Sequence, residues 1–133
     1  MNADIERGFV AVIQSVMPGF VVREATSSQS LPSDIQLVIV QCADCEHVVG
    51  PLYKATVKAF LGTPAFDMTE FQHREAASML ALAFFDQSDA ALLFNPTAGT
   101  LSLHGFHVRT QSEEIVENAW RFSIEIVAGI RIG

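Results

Sequence analysis

The stretch "AWRFSIEIVAGIRIG", Ala119 to Gly133, puts Trp120, Phe122, Ile124, Ile126, Ala128, Ile130 and Ile132 on one parity. Arg121, Ser123, Glu125, Val127, Gly129 and Arg131 fill the other. Successive side chains of a strand point to opposite faces, so a period of two demands a long strand with one buried and one wetter face. The run "PLYKATVKAFLG" repeats the pattern, with Tyr53, Ala55, Val57, Ala59 and Leu61 set against Lys54, Thr56 and Lys58. Such alternation belongs to antiparallel sheet packed on one side. The rest of the chain must supply a layer that covers this apolar face.

Two segments have helical period. Ile5, Phe9, Val12, Ile13 and Val16 fall on one face, with Asn2 or Asp4 as cap and Met17-Pro18-Gly19 as stop. "TPAFDMTEFQHREAASMLALAFFDQ" reads as a second, more buried helix, opened by Asp67 and Glu70 spaced like a capping box. From Ala76 to Phe85 it is apolar around nearly its whole circumference, which calls for cover on more than one side. "SDAALLFNP" adds a short helical turn ended by Pro96.

The remaining segments read as strands and connections. "FVVREAT" is a short strand, "SSQSLPSD" a polar connection, and "IQLVIVQCA" (Ile35 to Ala43) a central strand. That strand pairs with the run after Pro51 as a hairpin whose connection contains Asp44 to Gly50. "TLSLHGFHVRT" is a strand bent at Gly105. "QSEEIVENA" reads as exposed, with Gln111 to Asn118 as an acidic loop. The expectation is a single α+β domain over 1–133, a mainly antiparallel sheet of four to five strands with two α-helices packed on one face.

Composition narrows the function classes. The formal net charge is -7 and no basic run exists to neutralise phosphates, which argues against sequence-specific nucleic-acid binding and anionic membranes. A hydrophobic share of 50% with only 17% charged residues exceeds the needs of one small core, so part of it is expected at a subunit interface. No stretch has the 18 or more apolar residues a span requires, and the N-terminal segment lacks the basic region of a signal peptide. Two cysteines three apart make no disulfide framework, which points to the cytoplasm.

Candidate chemistry centres on "QCADCEHVVG", where Cys42 and Cys45 are spaced C-x-x-C with His47 two places on. A structural zinc site wants four ligands, and His104 and His107 of "HGFH" would complete two Cys and two His. An offset of three along a strand, however, sends Cys42 and Cys45 to opposite faces unless a turn starts at Ala43. A redox pair would need its first Cys at a helix N-terminus, and here strand precedes and follows. The expectation is therefore no metal and no cofactor, with Cys42 in the core and Cys45 in a turn. His104 and His107, of opposite parity around Gly105, are expected to diverge. His73, beside Arg74 and Glu75, reads as part of a solvated helix face. No G-x-S-x-G elbow or Gly-rich phosphate loop occurs, and paired carboxylates appear only in "SEEIVEN". No catalytic residue can be nominated, so an enzyme is not expected.

The order of elements resembles the tail terminator proteins of long-tailed bacteriophages and the related head-tail joining proteins. The matching pieces are "IERGFVAVIQSV", "DIQLVIVQCADCEHVVGPLYKATVKAFLG", "REAASMLALAFF" and "NAWRFSIEIVAGIRI", with Glu46 and Trp120 at positions often filled that way in the family. The two cysteines and the long apolar second helix depart from its pattern. The resemblance implies a homo-oligomer, a hexameric ring that caps the tail tube and meets the head connector. It implies assembly in the bacterial cytoplasm and a final place in the virion neck. Cys45, Glu46 and His47 on one side, and Glu113, Glu114 and Glu117 on the other, are the expected contacts with neighbours or tube. A dimeric ligand-binding module and a zinc or redox module are the alternatives.

Overall fold

The computed structural model describes residues 1–25, 36–64, 69–116 and 119–133, with backbone only at 115, 116 and 119. Along the chain run α1 (Asn2–Val16), β1 (Val21–Glu24), β2 (Leu37–Val49), β3 (Leu52–Pro64), α2 (Glu70–Leu82), α3 (Gln87–Phe94), β4 (Leu101–Val116) and β5 (Ala119–Ile132). The strands form one sheet in the order β1-β2-β3-β5-β4. β1 runs parallel to β2, and the other neighbours are antiparallel. The α+β class is as expected. The sheet is mixed, and the expected turn before Pro96 is the full helix α3, so three helices cover the sheet where two were anticipated.

The period of two has its predicted consequence. Phe122, Ile124, Ile126, Ala128 and Ile130 of β5 are buried, as are Ala55, Val57, Ala59 and Leu61 of β3. Register sets Val57 opposite Ile126 and Leu61 opposite Phe122, so the two apolar rows merge. One core joins them to Ile5, Phe9, Val12 and Ile13 of α1, Ala76, Ala77 and Leu80 of α2, and Ala90 and Phe94 of α3. The helices therefore lie on one face. Phe9 sits at the centre, its ring 5.0 Å from that of Phe94, 6.1 Å from Phe84 and 6.4 Å from Phe106. Gly8 lets α3 approach: a Cβ there would lie 2.4 Å from the Phe94 ring.

The helix caps differ from those the sequence suggests. α1 starts at Met1 without a side-chain cap, and Asp4 instead pairs with Arg7 at 3.0 Å. The capping box of α2 is Thr69 with Gln72; Asp67 lies outside the described residues, and Glu70 binds Arg74 at 2.8 Å. Met17 does end α1.

Two expected loops are strands. β2 runs on to Val49, with Asp44 paired to Thr56, Glu46 to Lys54 and His47 to Tyr53, so the turn is only Gly50-Pro51. Gly50 takes the left-handed φ of 55° that this tight turn requires. Likewise Gln111 to Val116 continue β4, with Glu113 opposite Phe122 and Glu114 opposite Arg121. Gln111 to Glu114 are exposed on both faces of the strand, so their acidic composition imitated a loop. The expected bend at Gly105 is present (φ 138°), with His104 before it as the extra residue of a bulge, and a second interruption falls at Arg109. The polar connection 27–34, Ile35 and Asn118 lie outside the described residues.

Candidate functional sites

The cysteine pair occupies a bulge. Cys42 pairs with Val57 and Cys45 with Ala55, two residues of one parity, because Ala43 is the extra residue between them. The expected divergence of the thiols is thus corrected: both lie on the helix-covered face. The carboxylate of Glu6, buried on α1, accepts the Cys42 backbone N–H at 2.9 Å and ties helix to bulge. Cys45 Sγ lies 3.5 Å from Met1 Sδ. Burial, then the charges of Cys45 and Glu6, push the Cys42 thiol up to about 12. Cys45 is raised too, by burial and by Asp44. Thiolate is the reactive form, so neither thiol is poised as a nucleophile.

His104 and His107 lie elsewhere. Contrary to the expected divergence, both line one shallow depression of about 380 Å³ with Lys54, Val127 and Gly129. This is the sheet face opposite the helices, because a Cβ on Gly129 would meet His104 Cβ and Gly129 pairs with outward-pointing Lys54. Thiols and imidazoles are separated by the sheet itself. Among the described residues no group of three or more His, Cys, Asp or Glu side chains is placed to hold a metal ion.

His73 was expected on a solvated face and is buried. α2 carries it to the end of β3, where its Nδ1 lies 3.0 Å from Thr63 Oγ1, and its ring lies 6.0 Å from Trp120. Burial holds its pKa below the usual value, with Glu113 and Glu70 opposing and Arg74 reinforcing. These groups, with Glu114 and Arg121, line a pocket of about 340 Å³. Parity could not find this pair, since the contact depends on where α2 crosses the sheet. A His beside a hydroxyl can activate a nucleophile. Thr63 is only 1% exposed, so no substrate reaches its hydroxyl, and the bond is a structural one.

The conspicuous surfaces are apolar. On the helix layer Phe85 is 84% exposed, Leu92 73% and Leu82 60%; on the β2–β3 hairpin Val49 is 62% and Val48 59% exposed. Of the expected contacts, Glu46 and His47 are exposed on the hairpin, and Cys45 is half-buried beside them. His47 is fixed by the Gly50 carbonyl at 2.9 Å and by the Tyr53 ring at 5.0 Å. Glu113 and Glu114 are exposed on β4, while Glu117 lies outside the described residues. Glu113 pairs at Phe122 and Glu46 stands level with Gly129, across Lys54. Seven residues of strand separate those levels, about 23 Å. The two expected contact groups therefore occupy opposite ends of the sheet.

No protein-family model and no curated protein matches the chain. Solved structures do: 31 chains are similar. One of them, a protein without a descriptive name, aligns over 98% of this chain and 92% of its own with a TM-score of 0.50 and 13% identity. At that identity the likeness extends to the fold, and to the fold alone.

Proposed function

We propose that this chain is a phage or prophage structural subunit, a tail terminator that assembles into a ring, caps the tail tube and joins it to the head. The observation that carries the reading is the pair of exposed apolar surfaces, one on the helix layer and one on the hairpin. Large apolar side chains cost free energy in water, and contiguous patches of them mark contact sites. Two unlike patches on one subunit suit the head-to-tail interfaces from which rings close. The net charge of -7 suits a channel that passes DNA without holding it. The partners in this reading are further copies of the chain, the tube protein and the head connector. Assembly takes place in the bacterial cytoplasm, and the finished ring sits in the virion neck.

Native mass spectrometry with electron microscopy of the purified protein tests this reading. Closed rings of identical subunits support it, whereas a two-fold dimer that persists on dilution sinks it. Capsid and tape-measure genes beside the coding sequence are expected as well. A second reading, a dimeric ligand-binding module, is favoured by the mixed-charge pocket at His73. The persistent dimer is the result it predicts.

A further inference from the structure

α2 and α3 meet at an angle of 81°. In that corner, against the last turns of α1, lies a groove of about 350 Å³ lined by Val12, Val16, Leu82, Ala83, Leu92 and Leu93. Asp86 and Asp89 also line it. We infer that this groove receives the β2–β3 hairpin of the next copy of the chain, Val48 and Val49 entering it. The inference rests on the assembly reading above and specifies which two surfaces meet.

Four observations select this occupant. First, the hairpin tip is an exposed apolar feature separate from the groove, with Val48 and Val49 side by side, and a chain cannot place its own hairpin in its own groove. Val48 lines the depression on the sheet face opposite the helices, with Lys54 and Gly129. The groove lies among the helices, so the sheet stands between it and the chain's own hairpin tip.

Second, the groove is concave, and two concave patches pressed together across a two-fold axis enclose a void. Third, charge agrees. A two-fold contact would set Asp86 and Asp89 against their own copies. The hairpin instead brings exposed Arg131, level with Leu52 and Val49 at the tip, toward those carboxylates, while Lys54 and Glu46 stand opposite each other. Fourth, joining through strand edges is the competing head-to-tail geometry, and both edges are blunted. β4 is interrupted by bulges at His104 and Arg109. The other edge is β1, only four residues long, and β2 beyond it is interrupted at Ala43 and carries Asp44 and Glu46.

Cysteine cross-linking in the full-length chain tests the contact. In a Cys45→Ser background, with the buried Cys42 retained, Val49→Cys and Leu92→Cys are purified separately, mixed and mildly oxidised. The expected result is a disulfide-linked pair that forms in the mixture and in neither protein alone. Leu92→Cys bridging to itself would show the two-fold contact and overturn the inference. Rings without a bridge from position 49 to position 92 overturn it while leaving the ring reading intact. Bridged open chains support it and sink the ring. A chain that stays monomeric at every concentration, with no bridge, overturns it as well. Val49→Asp, at an exposed site where folding is not at stake, is expected to weaken self-association about tenfold or more without lowering the melting temperature. Phe71→Asp, exposed outside the groove, should leave association unchanged. Equal association of Val49→Asp and the parent protein rejects the contact.

Discussion

α1 and α2 are of similar length, 15 and 13 residues, yet they spend their apolar side chains in opposite ways. α1 buries Ile5, Phe9, Val12 and Ile13 in the core and carries even the Glu6 carboxylate inside. α2 buries mainly the small Ala76 and Ala77 with Leu80 and His73, and leaves Phe71 and Leu82 to solvent. Its continuation, through Phe85 and α3, exposes more. A helix that turns alanines inward can lie close to the sheet, and its large side chains then have nowhere to go but out. α1 stabilises the subunit; the α2–α3 corner displays a surface. Stability and assembly should accordingly respond to different substitutions.

The sharpest way to break that comparison is a matched pair of truncations. Phe9→Ala removes a ring packed among Phe84, Phe94 and Phe106 and is expected to cost about 3–5 kcal/mol. Leu92→Ala, on the exposed corner, should change stability by less than about 0.5 kcal/mol while altering association. Urea unfolding reads the first quantity, and sedimentation reads the second. Equal losses of stability would mean the corner belongs to the fold and displays nothing.

Gly8→Ala sharpens the description of α1. Glycine inside a helix is worse than alanine by about 1 kcal/mol, so on propensity alone the change should stabilise. The new methyl, however, would meet the fully buried Phe94 ring, and overpacking costs about 1–3 kcal/mol. A net loss of stability is expected, smaller than that of Phe9→Ala. A gain would show that α3 is free to yield, and that the corner is softer than its packing on α1 implies.

For α2 the equivalent probe is its cap. Thr69 accepts the Gln72 backbone N–H, and the Gln72 side chain accepts the Thr69 N–H at 2.8 Å. Thr69→Ala is expected to cost about 0.5–2 kcal/mol. If α2 is mainly a display element, hydrogen exchange in that variant should rise along α2 before it rises in β3 or β5.

How legible this molecule is in its sequence depends on which rule each residue obeys. β3, β5 and α1 each satisfy a single period against a single core, so strand parity alone places Val57 and Ile126, and helical period places Phe9. β2 and β4 defeat parity because each contains bulges. One extra residue at Ala43 reverses the expected relation of Cys42 and Cys45, and another at His104 brings two histidines to one depression. Acidic edge strands escape for a different reason: Glu113 and Glu114 alternate with nothing apolar, and composition cannot tell an open edge from a loop. His73 escapes because its environment comes from helix–sheet crossing, a tertiary fact with no local period. The surplus of apolar residues was visible from composition, but which helix would carry it outside was not.

His73 supplies the smallest and most specific test, since it is the polar residue through which α2 is anchored to β3. Its ordinary value is 6.5, and burial holds the folded value lower. Above pH 6.5 neither state binds the proton, so the group adds no pH dependence. Below it the unfolded chain takes up a proton that the folded chain resists, and stability falls with pH until the folded value is passed. Glu113 and Glu70 limit the fall by favouring the cation, and Arg74 deepens it. A lower melting temperature at pH 5 than at pH 7 is therefore expected, with a smaller difference in His73→Gln. The three other histidines are present in both proteins, so subtracting one profile from the other isolates His73. Glu125, whose pKa the Arg109 and Lys58 partners lower, loses its contribution only as pH falls below the ordinary carboxylate value of 4.5, outside this window. Identical profiles for the parent and His73→Gln would mean that the ring is hydrated, and that α2 rests on the sheet through its alanines alone.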